Sequence, residues 1–500
     1  MFRSSSLGIF RFLAVLLVAL LLPYSGLAQE PTSPPASQQT PAPPTEQKPK
    51  QSPTEQSDTK SDTQTKITPQ QAEQLFRDVD TILDFASKDT SLPIKHQVKR
   101  RLTSREEVVS YLQKNMAEDK DVQRLKRTEL VLKKFGLLPK DFNLQTFLVG
   151  LLEEQVAGYY DSKTKTVNLL DWVAPDLQRP VLAHELTHAL QDQSFGLDKW
   201  LKKSSEDLDA KKNLTADDMT KDENSEARQA VVEGQAMVVL LDYILAPVHR
   251  TVADSPEMVD MLNEEMRSGT PDSVQYKNAP IFLKESLTFP YRYGVEFEAE
   301  LVRAQGKERA FAGTFQNPPR TSREIMEPRT YISGEHVLPL ELPDFKQIFK
   351  DYERFDVGAI GEFDVAVLAE QYAGEDASRK IYPNWRGGYY YSVHPKGNPA
   401  GSLGLMFVSR WSSAKAAAAF AAIYARGMQQ RYKNVEANVH SDLDLKKLET
   451  LSGDYTWLTE EGPVVIAVKN DTVLVTESVD PAITEQFRHA VLRTTAQPSE

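Results

Sequence analysis

The run His184-Glu185-Leu186-Thr187-His188 has the residue types and spacing for metal chemistry. In an α-helix, side chains four apart share one face, about 6 Å apart along the axis. Two imidazoles so placed can reach one ion, while Glu185 stands beside them where it can meet water on that ion. Leu182, Ala183, Leu186, Ala189 and Leu190 favour the helix and would bury its other side. The 500 residues contain no cysteine, which excludes thiolate ligation and thiolate catalysis. A transition-metal site here must draw on His, Asp or Glu, and the pattern points to Zn2+. Catalytic zinc sites usually hold three protein ligands and one open position. Glu233, in Ala230-Val231-Val232-Glu233-Gly234-Gln235-Ala236, is the leading third ligand, because a carboxylate among apolar neighbours is costly unless a cation meets it. Gly234 next to it permits close approach of another helix or of the metal site. Glu226, seven residues earlier on nearly the same face, is the alternative. Its polar neighbours suit a solvated or supporting role better.

The stretch His184 to Gln193, followed by Val232-Glu233-Gly234-Gln235-Ala236, resembles the secreted gluzincin-type zinc metallopeptidases, the peptidase-MA-like group. Gly158-Tyr159-Tyr160-Asp161, Phe289-Pro290-Tyr291-Arg292-Tyr293-Gly294 and Pro318-Pro319-Arg320-Thr321-Ser322 match in the same order, so the resemblance covers roughly residues 130–335. It implies zinc on His184, His188 and Glu233, with Glu185 as the catalytic base. The chain departs from that pattern at Gln235, where the group tends to carry Asp, and at Glu327-Pro328, where it tends to carry His-Pro. Met237 stands where related enzymes place a carboxylate.

Such a site would hydrolyse a peptide or protein substrate by activating water on zinc, with Glu185 moving the proton. A donor for the developing oxyanion is also required, and Tyr291, Arg292 and Tyr293 are the catalytic candidates, with Arg320 and His336 behind them. Residues 158–161 could form an edge strand that receives substrate backbone. The competing expectation is a catalytically silent binding or assembly protein on the same scaffold. No Gly-x-Ser-x-Gly elbow or phosphate-binding glycine loop supports a serine hydrolase or a nucleotide enzyme.

These residues need a framework, and the sequence predicts an α+β one. A mainly helical zincin-like domain with a small β-hairpin is expected over 67–340, its N-terminal part (67–155) helical, and a small α+β domain over 341–500. Helices are expected over 69–90, from 103, over 121–135 and over 143–155, with residues 95–101 as an exposed helical stretch. Two β-prone runs around residues 161–165 read as a hairpin. Pro180 is placed at the first turn of the motif helix, which should end before Gly196. A second long helix should follow over 223–245. Further on, a strand at 407–409, an alanine-rich helix over 413–428, a hairpin across Asn470-Asp471 and a final helix over 481–492 are expected.

Residues 1–28 have the form of a secretory signal peptide, with Arg3 and Arg11, an apolar run over 12–22, and Gly26-Leu27-Ala28 before a cut, an uncleaved anchor being the alternative. Residues 29–66, rich in Pro, Gln, Ser and Thr, should be a disordered tether. Export to the periplasm or the extracellular space follows, with no membrane span in the mature chain. A net charge of −12 argues against a nucleic-acid partner.

Overall fold

The computed structural model describes residues 66–116, 119–154, 158–202, 213–268, 273–398, 401–437 and 444–494. The expected signal peptide and nearly all of the expected tether lie outside the described residues.

Proline and glycine bracket the motif helix, Pro175–Phe195. Pro175 occupies its first turn, and Gly196 closes it in the left-handed conformation with its N–H on the Asp192 carbonyl. Pro180 therefore lies inside the helix rather than at its first turn. The earlier start is held by Gln178, whose amide donates to the Leu170 carbonyl and accepts from the Leu170 N–H. Helix Pro69–Thr90 packs on one side of the motif helix and helix Lys221–Leu245, the ligand helix, on another. Helix Ile281–Gln305 lies along the ligand helix. The two cross at Gly234 and Gly294, where a Cβ on Gly234 would come within 2.2 Å of the Gly294 carbonyl oxygen. The stretch Lys221–Val248 is long and apolar enough to cross a bilayer, yet it is mostly buried within the protein as a core helix.

The predicted hairpin is present as β2 (Tyr159–Asp161) and β3 (Thr166–Leu170), paired antiparallel. A third strand, β1 (Lys99–Thr103), lies parallel to β3 on its other side, giving the order β1-β3-β2. Residues 95–101 are thus not helical. Alternating exposure along β1 follows the two-residue period of a strand, and Arg100 turns back to pair with Asp80 on helix Pro69–Thr90.

The C-terminal sheet has seven strands in the order β4-β5-β6-β10-β9-β8-β7. They are β4 (Tyr352–Ala359), β5 (Trp385–Pro395), β6 (Gly404–Trp411), β7 (Val435–Ala437), β8 (Gly453–Thr459), β9 (Gly462–Lys469) and β10 (Thr472–Glu477), all antiparallel to their neighbours. Asn470 takes positive φ at the tight β9–β10 turn, as the sequence suggested. Alternate residues point to opposite faces. Tyr390, Phe407, Ile466 and Val475 join the large apolar core that also holds Leu186, Val231 and Phe297. Tyr389, Tyr391, Val408 and Leu474 meet Phe345, Phe349 and Phe487, the last from helix Pro481–Thr494. The expected fold class is corrected here: the C-terminal sheet is not small, and one of its faces closes on the core of the helical part. Among the described residues the architecture is mainly helical with two open sheets.

Candidate metal centre

His184 and His188 stand four apart on the motif helix, and Glu233 comes from the facing ligand helix. The two Nε2 atoms are 3.0 Å apart, and Glu233 Oε2 lies 3.2 Å from that of His184 and 3.4 Å from that of His188. Donors bonded tetrahedrally to zinc at about 2.0–2.1 Å sit roughly 3.3 Å from each other, so this triangle has the size the ion requires. Glu233 Oε2 is buried and, the two imidazoles apart, makes no well-formed hydrogen bond among the described residues, whereas its Oε1 accepts from Gln229 Nε2 at 2.8 Å. A buried, oriented carboxylate oxygen facing two imidazole nitrogens is the environment of a cation. The three residues form a cluster able to hold a metal ion.

Burial sets the charges, with corrections from neighbours. It holds the His184 imidazole down at about 4, so that ring is neutral at pH 7. Burial also opposes charge on His188, but Glu233 outweighs it and raises that ring to about 9. For Glu233 burial works against ionisation, and His188 with His184 reverses this to bring the carboxyl down to about 2. The result is a carboxylate ready for a cation.

Glu185 is buried between the motif helix and β2. Its Oε2 accepts from the Tyr160 N–H at 2.7 Å, while Oε1 has no partner. Burial pushes the carboxyl up to about 8, against the pull of His188 and of the Tyr160 N–H. Without a cation beside it Glu185 therefore holds its proton at pH 7, and a metal ion in the cluster would favour the ionised form that a general base needs. Tyr291 is fully buried, its ring 6.2 Å from that of His184, and its hydroxyl lies within the influence of Glu233 but makes no well-formed hydrogen bond among the described residues. Burial, then the charges of Glu233 and Glu185, push the phenol far above its usual range, so it stays a neutral O–H donor.

The other expected residues are placed elsewhere. Tyr293, two positions from Tyr291 and so on another face of its helix, packs on Phe289 and beneath the Arg292 guanidinium. Arg292 pairs with Glu285. The Arg320 N–H and His336 both engage Glu324. Glu226 lies among carboxylates: burial, then Asp364, Glu223 and Asp222, drive its carboxyl well above the ordinary range. β2 is an edge strand of its sheet, but its Tyr160 N–H is committed to Glu185.

The sequence reading missed Gln191 and Gln229. Gln191 sits three after His188, and its Oε1 meets His188 Nδ1 at 2.9 Å. Gln229 sits four before Glu233. Both offsets are helical neighbours, so a search for polar residues at three and four from each ligand would have found them.

No family model matches this chain. No curated protein matches it either. Among solved structures, a Chloroflexus aurantiacus chain described as a candidate hydrolase with a novel fold superposes at 17% identity and a TM-score of 0.34, covering 54% of this chain and 92% of that one. That overlap is too loose to carry fold or activity across. The family expectation is corrected accordingly: no comparison ties the chain to the gluzincin group, and the zincin-like label for its fold is withdrawn. The candidate site rests on the side chains it brings together.

Proposed function

We propose that the chain is a zinc-dependent hydrolase that cleaves amide bonds in a peptide or protein substrate, working outside the cytoplasm. The observation that carries this reading is the convergence of His184 Nε2, His188 Nε2 and Glu233 Oε2 within 3.0–3.4 Å, with a partnerless Glu185 oxygen alongside. His184, His188 and Glu233 would hold the zinc, which when bound would supply Lewis-acid chemistry for water and for a scissile carbonyl. Glu185, anchored through one oxygen by Tyr160, takes a proton from the attacking water and returns it to the leaving amine. The neutral Tyr291 hydroxyl donates to the oxyanion that develops on the carbonyl.

The test combines metal analysis with digestion of a broad peptide library. One zinc per chain and chelator-sensitive cleavage are expected. Glu185→Gln should lower the rate by about 10²–10⁴-fold, the usual share of a general base, while zinc stays bound. Cleavage by that variant at the wild-type rate overturns the mechanism.

One observation favours a second reading, a metal-holding protein without catalysis. The side chains of His184 and Glu233 are 1% and 4% exposed, and even His188 reaches only 12%. No cleavage of any library member by the zinc-loaded chain would favour that reading.

A further inference from the structure

His188 is held from behind by a chain of amides whose direction is fixed at its far end. Its Nδ1 meets Gln191 Oε1 at 2.9 Å. Gln191 Nε2 donates to the Val232 carbonyl at 3.1 Å and to Gln235 Oε1 at 2.9 Å. The two hydrogens of Gln235 Nε2 are shared among the carbonyls of Ala310 and Phe311, each at 3.0 Å, and Thr314 Oγ1 at 2.8 Å. Those two carbonyls belong to a π-helical turn, Arg309–Gly313. Gln191, Gln235 and Thr314 are all fully buried.

A backbone carbonyl can only accept, so the Gln235 end facing Ala310 and Phe311 must be its NH2 group. Its Oε1 then faces Gln191, whose NH2 group must face both that oxygen and the Val232 carbonyl. Reversing Gln191 would set its oxygen against two acceptors, at 2.9 and 3.1 Å. The one group left to face His188 is the Gln191 oxygen. His188 Nδ1 must therefore carry the hydrogen, which leaves Nε2 free to ligate. His184 lacks such a restraint, for its Nδ1 is buried without a partner.

We propose that Gln191 and Gln235 are positioning residues that lock His188 into the Nδ1–H form, with Nε2 aimed at the metal, through a one-way hydrogen-bond chain anchored on the π turn. The proposal rests on the metal-site reading above, but not on peptide cleavage. It also gives a physical role to Gln235, where the resemblance led one to expect Asp. An aspartate would present acceptors to the Ala310 and Phe311 carbonyls, so this anchor needs an amide.

The experiment uses the full chain with 15N-labelled histidine. In zinc-free protein, in alkaline buffer that leaves the ring neutral, His188 should show a hydrogen on Nδ1 and a bare Nε2. That hydrogen should exchange slowly with water. Gln191→Met keeps the side-chain length and removes the acceptor; it should give mixed ring forms, fast exchange and zinc affinity about 10–100-fold weaker by chelator competition. Gln235→Met removes one of the two anchors and should fall between wild type and Gln191→Met. A wild-type ring with its hydrogen on Nε2 overturns the proposal without any variant, so poor folding of a variant cannot shield it. Unchanged ring form and unchanged zinc affinity in a folded Gln191→Met chain also overturn it. A zinc-loaded chain that cleaves no peptide, yet shows these ring forms and affinities, removes the peptidase reading and leaves this one standing.

Discussion

At the scale of single residues, Glu233 has its two oxygens assigned to different tasks. Oε1 is held by Gln229, while Oε2 faces the two histidines and makes no other well-formed hydrogen bond among the described residues. Glu233→Gln separates these tasks. The amide can keep its oxygen towards Gln229 and turn its NH2 group towards the imidazole nitrogens, so the fold should survive. The negative charge that favours a cation is gone, however. Zinc affinity should fall by more than about 100-fold, beyond the 10–100-fold typical of losing a supporting group, with the melting temperature of the zinc-free chain unchanged or raised. Competition with a chelator and a melting curve of the zinc-free protein check the two halves. An affinity within tenfold of wild type would show that Glu233 is not a ligand.

At the scale of elements, the site depends on how closely two helices approach. Glu233 and Tyr291 reach the histidines from helices that touch backbone to backbone at Gly234 and Gly294. Gly234→Ala would put its Cβ into the Gly294 backbone, and overpacking of this kind typically costs about 1–3 kcal/mol. The separation should also draw Glu233 away from His184. Weaker zinc binding is therefore expected together with a lower denaturation midpoint, and full zinc affinity in the variant would mean that the crossing does not set the site. Half of this crossing was legible in the sequence, as a glycine beside a carboxylate in an apolar helix, but its partner Gly294 was not. So were the motif helix, its Gly196 stop and the β2–β3 hairpin, because period and capping residues are local signals. β1 was not legible: Lys99, Arg100 and Arg101 look like a solvated helix surface until β3 is there to pair with them. Tyr291 and Tyr293 could not be told apart by type, and only the packing of their helix assigns one to the site. The carbonyls that anchor Gln235 come from a π turn some 75 residues away in sequence, and no local pattern announces that pairing.

At the scale of the whole molecule, the ligand helix is tied at both ends to parts distant in sequence. Near its start Glu223 Oε2 accepts from the N–H and hydroxyl of Ser322, and near its end Asp242 meets Lys307 and the Val252 N–H. Beside the shared apolar core and the Lys134–Glu461 pair, a buried charge cluster helps to fasten the seven-stranded sheet to the helical part. Glu477 on β10 accepts from Arg431 at 2.8 and 3.0 Å, and from the hydroxyls of Tyr424 and Tyr432. The same Arg431 Nη1 donates to the carbonyl of Lys134, at the end of helix Asp119–Phe135. Burial works against the Glu477 charge, but Arg431, then Lys134 and the two tyrosines, bring its carboxyl below the ordinary range. The folded value being lower than the unfolded one, this contact stabilises the protein above the unfolded carboxylate pKa of about 4.3 and is lost as the pH falls through the folded value. Glu477→Gln leaves Arg431 buried without its counter-charge, a change that typically costs about 3–5 kcal/mol. Urea unfolding at pH 7 should show a loss of that order. The gap between variant and wild type should narrow as the pH drops below about 4.3, because the unfolded wild-type chain takes up a proton there first and folded Glu477 follows only at lower pH. A gap that stays constant across that range would mean that Glu477 holds the sheet by shape and hydrogen bonding rather than by charge.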